Sequence, residues 1–295
     1  MQNQEFNNND YSQPLAKELN DLAKKLPLSE HPTPDNPPWN AWTASGVWVL
    51  SLLAIIFVPA IFVVPYILMN RQIAPETLQS DPTVIFLSLL AVIPAHIITL
   101  AIAWAVVTKF KKFSFRETLG WNWGGFRWWY FPLIIGAFFL FAILVSIFLP
   151  EQENELTRIL KSSRAAVYVT AVLATFTAPI VEEVVYRGIL YSAFQRTVGV
   201  AWAVVITTLA FAGVHFFQYW GSPGTIILIC VLSLILTLIR VKTKNLLPCV
   251  VLHFIFNGIQ SILLILQPFL PESIGGGALQ QQTSSIIHLF ISIFY

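Results

Sequence analysis

Seven long apolar stretches leave this chain little choice but to fold across a lipid bilayer. They run Val47–Met69, Thr83–Val107, Trp128–Leu149, Ala165–Phe194, Val198–Phe217, Gly221–Ile239 and Leu246–Leu266. A helix of about 20 apolar residues crosses the hydrocarbon core. Inside lipid the backbone must satisfy its own hydrogen bonds, so only helices and closed barrels span it. These runs are continuously apolar rather than alternating, so they read as helices. Composition agrees: 56% of the residues are hydrophobic and 11% charged, against about 25% charged in soluble domains. The expected fold is an all-α polytopic membrane helix bundle of about seven or eight transmembrane helices. The eighth candidate, Ile286–Tyr295, is too short to span and reads as an interfacial or partly inserted helix.

Four regions follow: a polar, mostly disordered tail over 1–43, N-terminal spans over 44–160, a second set over 161–267, and a C-terminal loop with its short helix over 268–295. The tail contains a short amphipathic stretch with Leu15, Leu19, Leu22 and Leu26 at helical spacing. It ends in Pro32, Pro34, Pro37 and Pro38, which should be extended or irregular because proline lacks the N–H a helix needs. The polar start does not read as a signal peptide. Cys230 and Cys249 lie in or beside apolar segments and read as small buried hydrophobes, not as a metal cluster or a disulfide framework. The basic, aromatic loop Lys109–Arg127 is explained by snorkelling and anionic-lipid contact, so no nucleic-acid partner is expected.

Basic residues set the orientation. With the N-terminus in the cytoplasm and alternating spans, 13 Lys and Arg fall inside and 4 outside, namely Arg71, Arg158, Lys161 and Arg164. The positive-inside rule therefore favours a multi-pass protein with a cytoplasmic N-terminus.

The fourth apolar segment is interrupted by Glu182-Glu183-Val184-Val185-Tyr186-Arg187-Gly188. A charge at mid-membrane costs at least about 2.5–3.5 kcal/mol, so ionisable residues there mark function by default. On a helical wheel Glu183 and Arg187 lie about 40° apart and can pair, whereas Glu182 lies about 140° from Arg187. Glu182 is thus left to face something else. The fifth segment carries Phe211-x-x-x-His215 and the seventh His253-x-x-x-Asn257, whose two polar residues share a face. Taken singly, a membrane His or Asn is more often interhelical glue. Together they supply a base, a water-orienting group and two hydrogen-bond donors. His96 matches no motif and reads as packing.

E-E-x-x-x-R, F-x-x-x-H and H-x-x-x-N, in that order on separate segments, resemble the CPBP family. This is the CAAX-protease-and-bacteriocin-processing or ABI family, which includes type II CAAX prenyl endopeptidases. The resemblance covers roughly residues 165–260 and includes Arg187-Gly188 and the Asn245 to Pro248 stretch. Earlier residues resemble the family only in being membranous. The resemblance implies an intramembrane endopeptidase acting on membrane-associated protein or peptide substrates. It implies that Glu182 and His215 activate water, that His253 and Asn257 stabilise the oxyanion, and that Glu183 and Arg187 support the site. No cofactor is expected. Zinc is the weaker alternative, because Asn is a poor ligand beside Cys, His or carboxylate.

Two rival readings stay open: a non-catalytic immunity or scaffold protein of the same family, and a proton-coupled transporter using Glu182, Glu183 and His215 as a relay. The orientation yields a direct expectation. A topology reporter fused after Arg116 should read cytoplasmic and one after Leu156 extracytoplasmic; the opposite pair of readings overturns the assignment.

Overall fold

Residues 31–149 and 154–266 are described in a computed structural model of the chain. Leu15–Leu26 and Ile286–Tyr295 lie outside the described residues. The helices all belong to the larger of two units, Thr33–Tyr295. They are α1 (Ala41–Met69), α2 (Pro82–Thr108), the short α3 (Phe115–Leu119), α4 (Tyr130–Phe148), α5 (Glu155–Ser162), α6 (Arg164–Val198), α7 (Val200–His215), α8 (Pro223–Thr243) and α9 (Leu247–Leu266). No strand occurs among the described residues. Six of these helices are long and apolar enough to cross a membrane, and α7 is a shorter apolar one. The protein is a polytopic helical membrane protein.

Burial sorts the spans. In the most apolar windows of α1, α2 and α4 only 17–22% is buried, against 56% for α8 and 50% for α9. The first spans therefore present apolar side chains such as Ile61, Ile97 and Leu140 outward, as lipid contact requires. The later spans form the centre. Val184, Val185, Tyr186 and Ile189 of α6 lie in one cluster with Val47, Val107, Phe211 and Val250. A second cluster joins Phe138 and Ala142 of α4 to Leu228, Leu232 and Leu236 of α8 and to Leu252 and Phe256 of α9.

α6 is the unusual element. Its 35 residues extend about 52 Å at 1.5 Å each, well beyond a core of about 30 Å. Two π turns, Leu173–Thr177 and Val184–Leu190, interrupt it on either side of the acidic pair. π bulges of this kind recur at functional sites, because each shifts the register of the side chains after it. The first stops at a proline. Ala178 N–H bonds Leu173 O, and the next such bond would need an N–H from residue 179, which is proline.

The structure differs from the expected flexible tail at residues 33–40. This segment makes a tight turn with reciprocal Thr33–Asn36 backbone bonds and lies as a strap against the helix ends. Arg240, at the end of an apolar run, is fully buried. It donates to Asp35 Oδ1 at 3.0 Å and to Pro34 O at 2.7 Å, and its guanidinium lies over the Tyr191 ring. Arg196 donates to Pro37 O at 2.8 Å, and Trp39 Nε1 to Ile189 O at 3.1 Å. Asn40 then caps α1 through Thr43 N–H.

A tight turn places α9. Leu246 N–H donates to Gly120 O at 2.8 Å. Gly120 sits at φ +71°, and a Cβ there would meet Asn245 Oδ1 and Pro34 Cγ at 2.8 Å. Its lack of a side chain is thus required twice over. On the far side, Gly188 of α6 has Leu119 and Leu246 against it. Replacing Asp35 with Ala leaves Arg240 buried with only one carbonyl and an aromatic face. The loss should be about 1–3 kcal/mol, read as a lowered thermal unfolding midpoint. Lys244→Ala, at a side chain 74% exposed and 3.7 Å from Asp35, should change it little.

Candidate active site

The acidic pair splits by environment. Glu183 is fully buried, while the Glu182 side chain is 24% exposed. Arg187, also fully buried, donates to Glu183 Oε1 at 2.8 Å one turn along α6. Its remaining donors are met from α8: Nε by Thr237 Oγ1 at 3.2 Å, and Nη2 by Ser233 O and Oγ at 3.0 and 2.7 Å. A charge this deep is tolerable only with a counter-charge and a nearly full set of hydrogen bonds, and Arg187 has both.

Glu183 also reaches across to α9. His253 Nδ1 lies 2.8 Å from the same Oε1 that Arg187 holds. A carboxylate paired with Arg accepts, so Nδ1 carries the proton and donates. That turns Nε2 toward Glu182 Oε2, 3.7 Å away. The order in space is Arg187, Glu183, His253, Glu182. Glu182 forms no hydrogen bond among the described residues, and its carboxylate is free to act on something else.

Asn257, one turn beyond His253, donates through Nδ2 to Ala174 O at 2.8 Å. Ala174 O is the acceptor that Pro179 leaves idle in the first π turn. One of the two amide N–H groups of Asn257 is thus committed to holding α6 against α9, and its Oδ1 is buried without a partner. Glu183 Oε2 is likewise buried and unpartnered. A second tie, Thr175 Oγ1 to Ser261 Oγ at 2.7 Å, reinforces the same contact.

His215 closes α7. Its Nδ1 lies 2.8 Å from Phe211 O, which can only accept, so this ring too presents Nε2 outward. Phe211 packs among the polar residues. Its ring centroid lies 4.9 Å from that of His215 and 6.1 Å from that of His253. The Arg187 guanidinium stands over its face at 4.7 Å, and Tyr186 meets it edge-on. The phenylalanine of F-x-x-x-H is thus an apolar spacer that the arginine and both imidazoles share. Tyr186 is itself held by Trp48 Nε1 of α1 at 3.2 Å.

The structure therefore brings Glu182, Glu183, Arg187 and His253 into one connected group, with Asn257 one turn beyond it. His215 joins through Phe211. The Glu183–His253 contact and the Asn257–Ala174 contact were not legible in the sequence, because a helical wheel reports neighbours on one helix only. His96, read as packing, lies in the same neighbourhood. Its Nδ1 is 2.9 Å from Thr177 Oγ1, on the same helix as the acidic pair. Among the described residues no three His, Cys, Asp or Glu side chains converge as a metal ion would require.

A polytopic helical membrane protein with carboxylates, imidazoles and an amide buried between its last spans is the class defined so far. Residues 164–259, the stretch that carries this site, match the family model described as type II CAAX prenyl endopeptidase Rce1-like. No curated protein and no solved structure matches the chain. The division within the acidic pair has a measurable consequence. Glu183→Gln leaves Arg187 buried without its counter-charge and should lower stability by about 3–5 kcal/mol. Glu182→Gln breaks no hydrogen bond and should leave the unfolding midpoint near that of the parent protein; equal losses overturn the division.

Proposed function

We propose that this chain is an intramembrane endopeptidase that hydrolyses peptide bonds of membrane-associated proteins with a glutamate-activated water. The observation that carries this reading is the pairing of two different carboxylates across one imidazole. Glu183 is locked between Arg187 and His253 Nδ1, while Glu182 faces Nε2 of the same ring unbonded and partly exposed. One acid builds the site and the other is left to do chemistry. The Rce1-like match over the same helices supports hydrolysis.

Glu182 takes a proton from water as it attacks the scissile carbonyl, and His215, with Nδ1–H on Phe211 O, accepts from that water through Nε2. Charge then develops on the carbonyl oxygen. His253 donates to it through Nε2 while Nδ1–H stays on Glu183, so in that role the ring is a cation held against an anion. The second N–H of Asn257, the one not spent on Ala174 O, completes the pair of donors. Glu182 then returns its proton to the leaving amine. All these groups sit between spans, where a low dielectric strengthens each interaction.

The charge bias supports a cytoplasmic N-terminus. Setting aside Arg187 and Arg240, both buried, it is still 11 to 4. The family description makes prenylated CAAX peptides the first substrates to test.

The test is cleavage by the purified protein of fluorogenic peptides, with and without a prenyl group. Cleavage by the parent and none by a folded Glu182→Gln variant supports the reading; cleavage by both, or by neither, overturns it. Asn257→Asp keeps the shape of the side chain but sets an acceptor where the oxyanion forms. Turnover should fall by roughly 10²–10³-fold with KM little changed, and full activity in this variant removes Asn257 from the donor pair.

A further inference from the structure

We propose that His96, on the second span and outside the residues that match the protease family, is a positioning residue for Glu182. The inference rests on the catalytic reading of Glu182 given above. Thr177 Oγ1 has a single proton, and it donates this to Leu173 O at 3.1 Å. Toward His96, 2.9 Å away, the hydroxyl can therefore only accept, and His96 Nδ1–H donates to it. His96 is 8% exposed, so this bond forms away from water.

The place where it lands gives it significance. Thr177 is the last residue of the first π turn of α6. That turn lacks the hydrogen bond that residue 179, a proline, would have made, so its own backbone holds it weakly. Two side chains from other helices hold it instead. Asn257 of α9 takes Ala174 O, and His96 of α2 takes Thr177 Oγ1, which in turn closes on Leu173 O. Glu182 follows Thr177 by five residues on the regular turn Ala178–Glu183. Any tilt or rotation of the π turn therefore moves the Glu182 carboxylate relative to His253 on α9. Pro94, two residues before His96, lies inside α2 and removes one of its backbone hydrogen bonds. The N-terminal spans thus do more than surround the family domain; one of them fixes its active-site helix.

A residue that only packed would change yield and melting temperature but not turnover in the folded fraction. His96→Leu removes the donor and should lower kcat roughly tenfold, the value of one net hydrogen bond, with KM unchanged. His96→Asn sets an amide N–H where Nδ1 was and should restore kcat to within about threefold. Thr177→Val removes the acceptor and should match His96→Leu, and the double variant should be no slower than either single one. The measurement is steady-state cleavage by full-length protein in nanodiscs, normalised to folded protein. Should His96→Leu fail to fold, Thr177→Val carries the same expectation. Unchanged kcat in the donor or acceptor variant, no rescue by Asn, or additive losses overturn the assignment and leave the protease reading standing. Absence of cleavage by the parent protein overturns both.

Discussion

An arginine with no exposed surface, inside a membrane domain, sets the terms for the rest of this structure. Arg187 cannot be left in hydrocarbon without an anion and acceptors, and the fold is arranged to supply them. Glu183 provides the charge from the same helix, and Ser233 and Thr237 provide acceptors from α8. Phe211 of α7 offers its face. Because Glu183 also accepts from His253, the arrangement that neutralises the cation simultaneously orients the imidazole of α9. Three helices are fixed relative to α6 by one buried charge. A hydrophobic isostere of the pair could be as stable, but it would leave the imidazole ring without its partner.

The second constraint is the broken ladder of α6. Proline at 179 leaves a carbonyl idle, and the π turn before it shifts the register, so the helix arrives at the acidic pair held by its neighbours as well as by itself. The turn that leads to Glu182 is thus placed by side chains of α2 and α9 as well as by its own helix.

Much of this was legible in the chain. The apolar runs announced the long helices, since a bilayer allows few other solutions, although the fifth run forms a shorter helix than the six that are long enough to cross. The three spaced motifs marked, on separate helices, the polar residues that the structure brings together. What the sequence could not convey depended on contacts between helices or on register. Helical spacing put Glu183 beside Arg187 but could not show that His253 shares the same oxygen. A period of 100° per residue misses a π turn, so the phase of α6 was unreadable beyond Leu173. Arg240 ends an apolar run. Its burial depends on Asp35, some 205 residues away in sequence. The proline-rich segment looked loose because proline forms no helix, yet rigid, extended backbone with free carbonyls is what Arg240 and Arg196 need as acceptors.

That strap has a bearing on how the protein is made. Its partners, Ile189, Arg196 and Arg240, are synthesised 150 or more residues after it. During synthesis at about 5–20 residues per second, residues 33–40 therefore wait many seconds for the helices that receive them. Arg240 meanwhile reaches the bilayer as an unpaired cation at the end of α8 and gains its anion only when the waiting segment docks. Only a chain that has been made through α8 can close this contact.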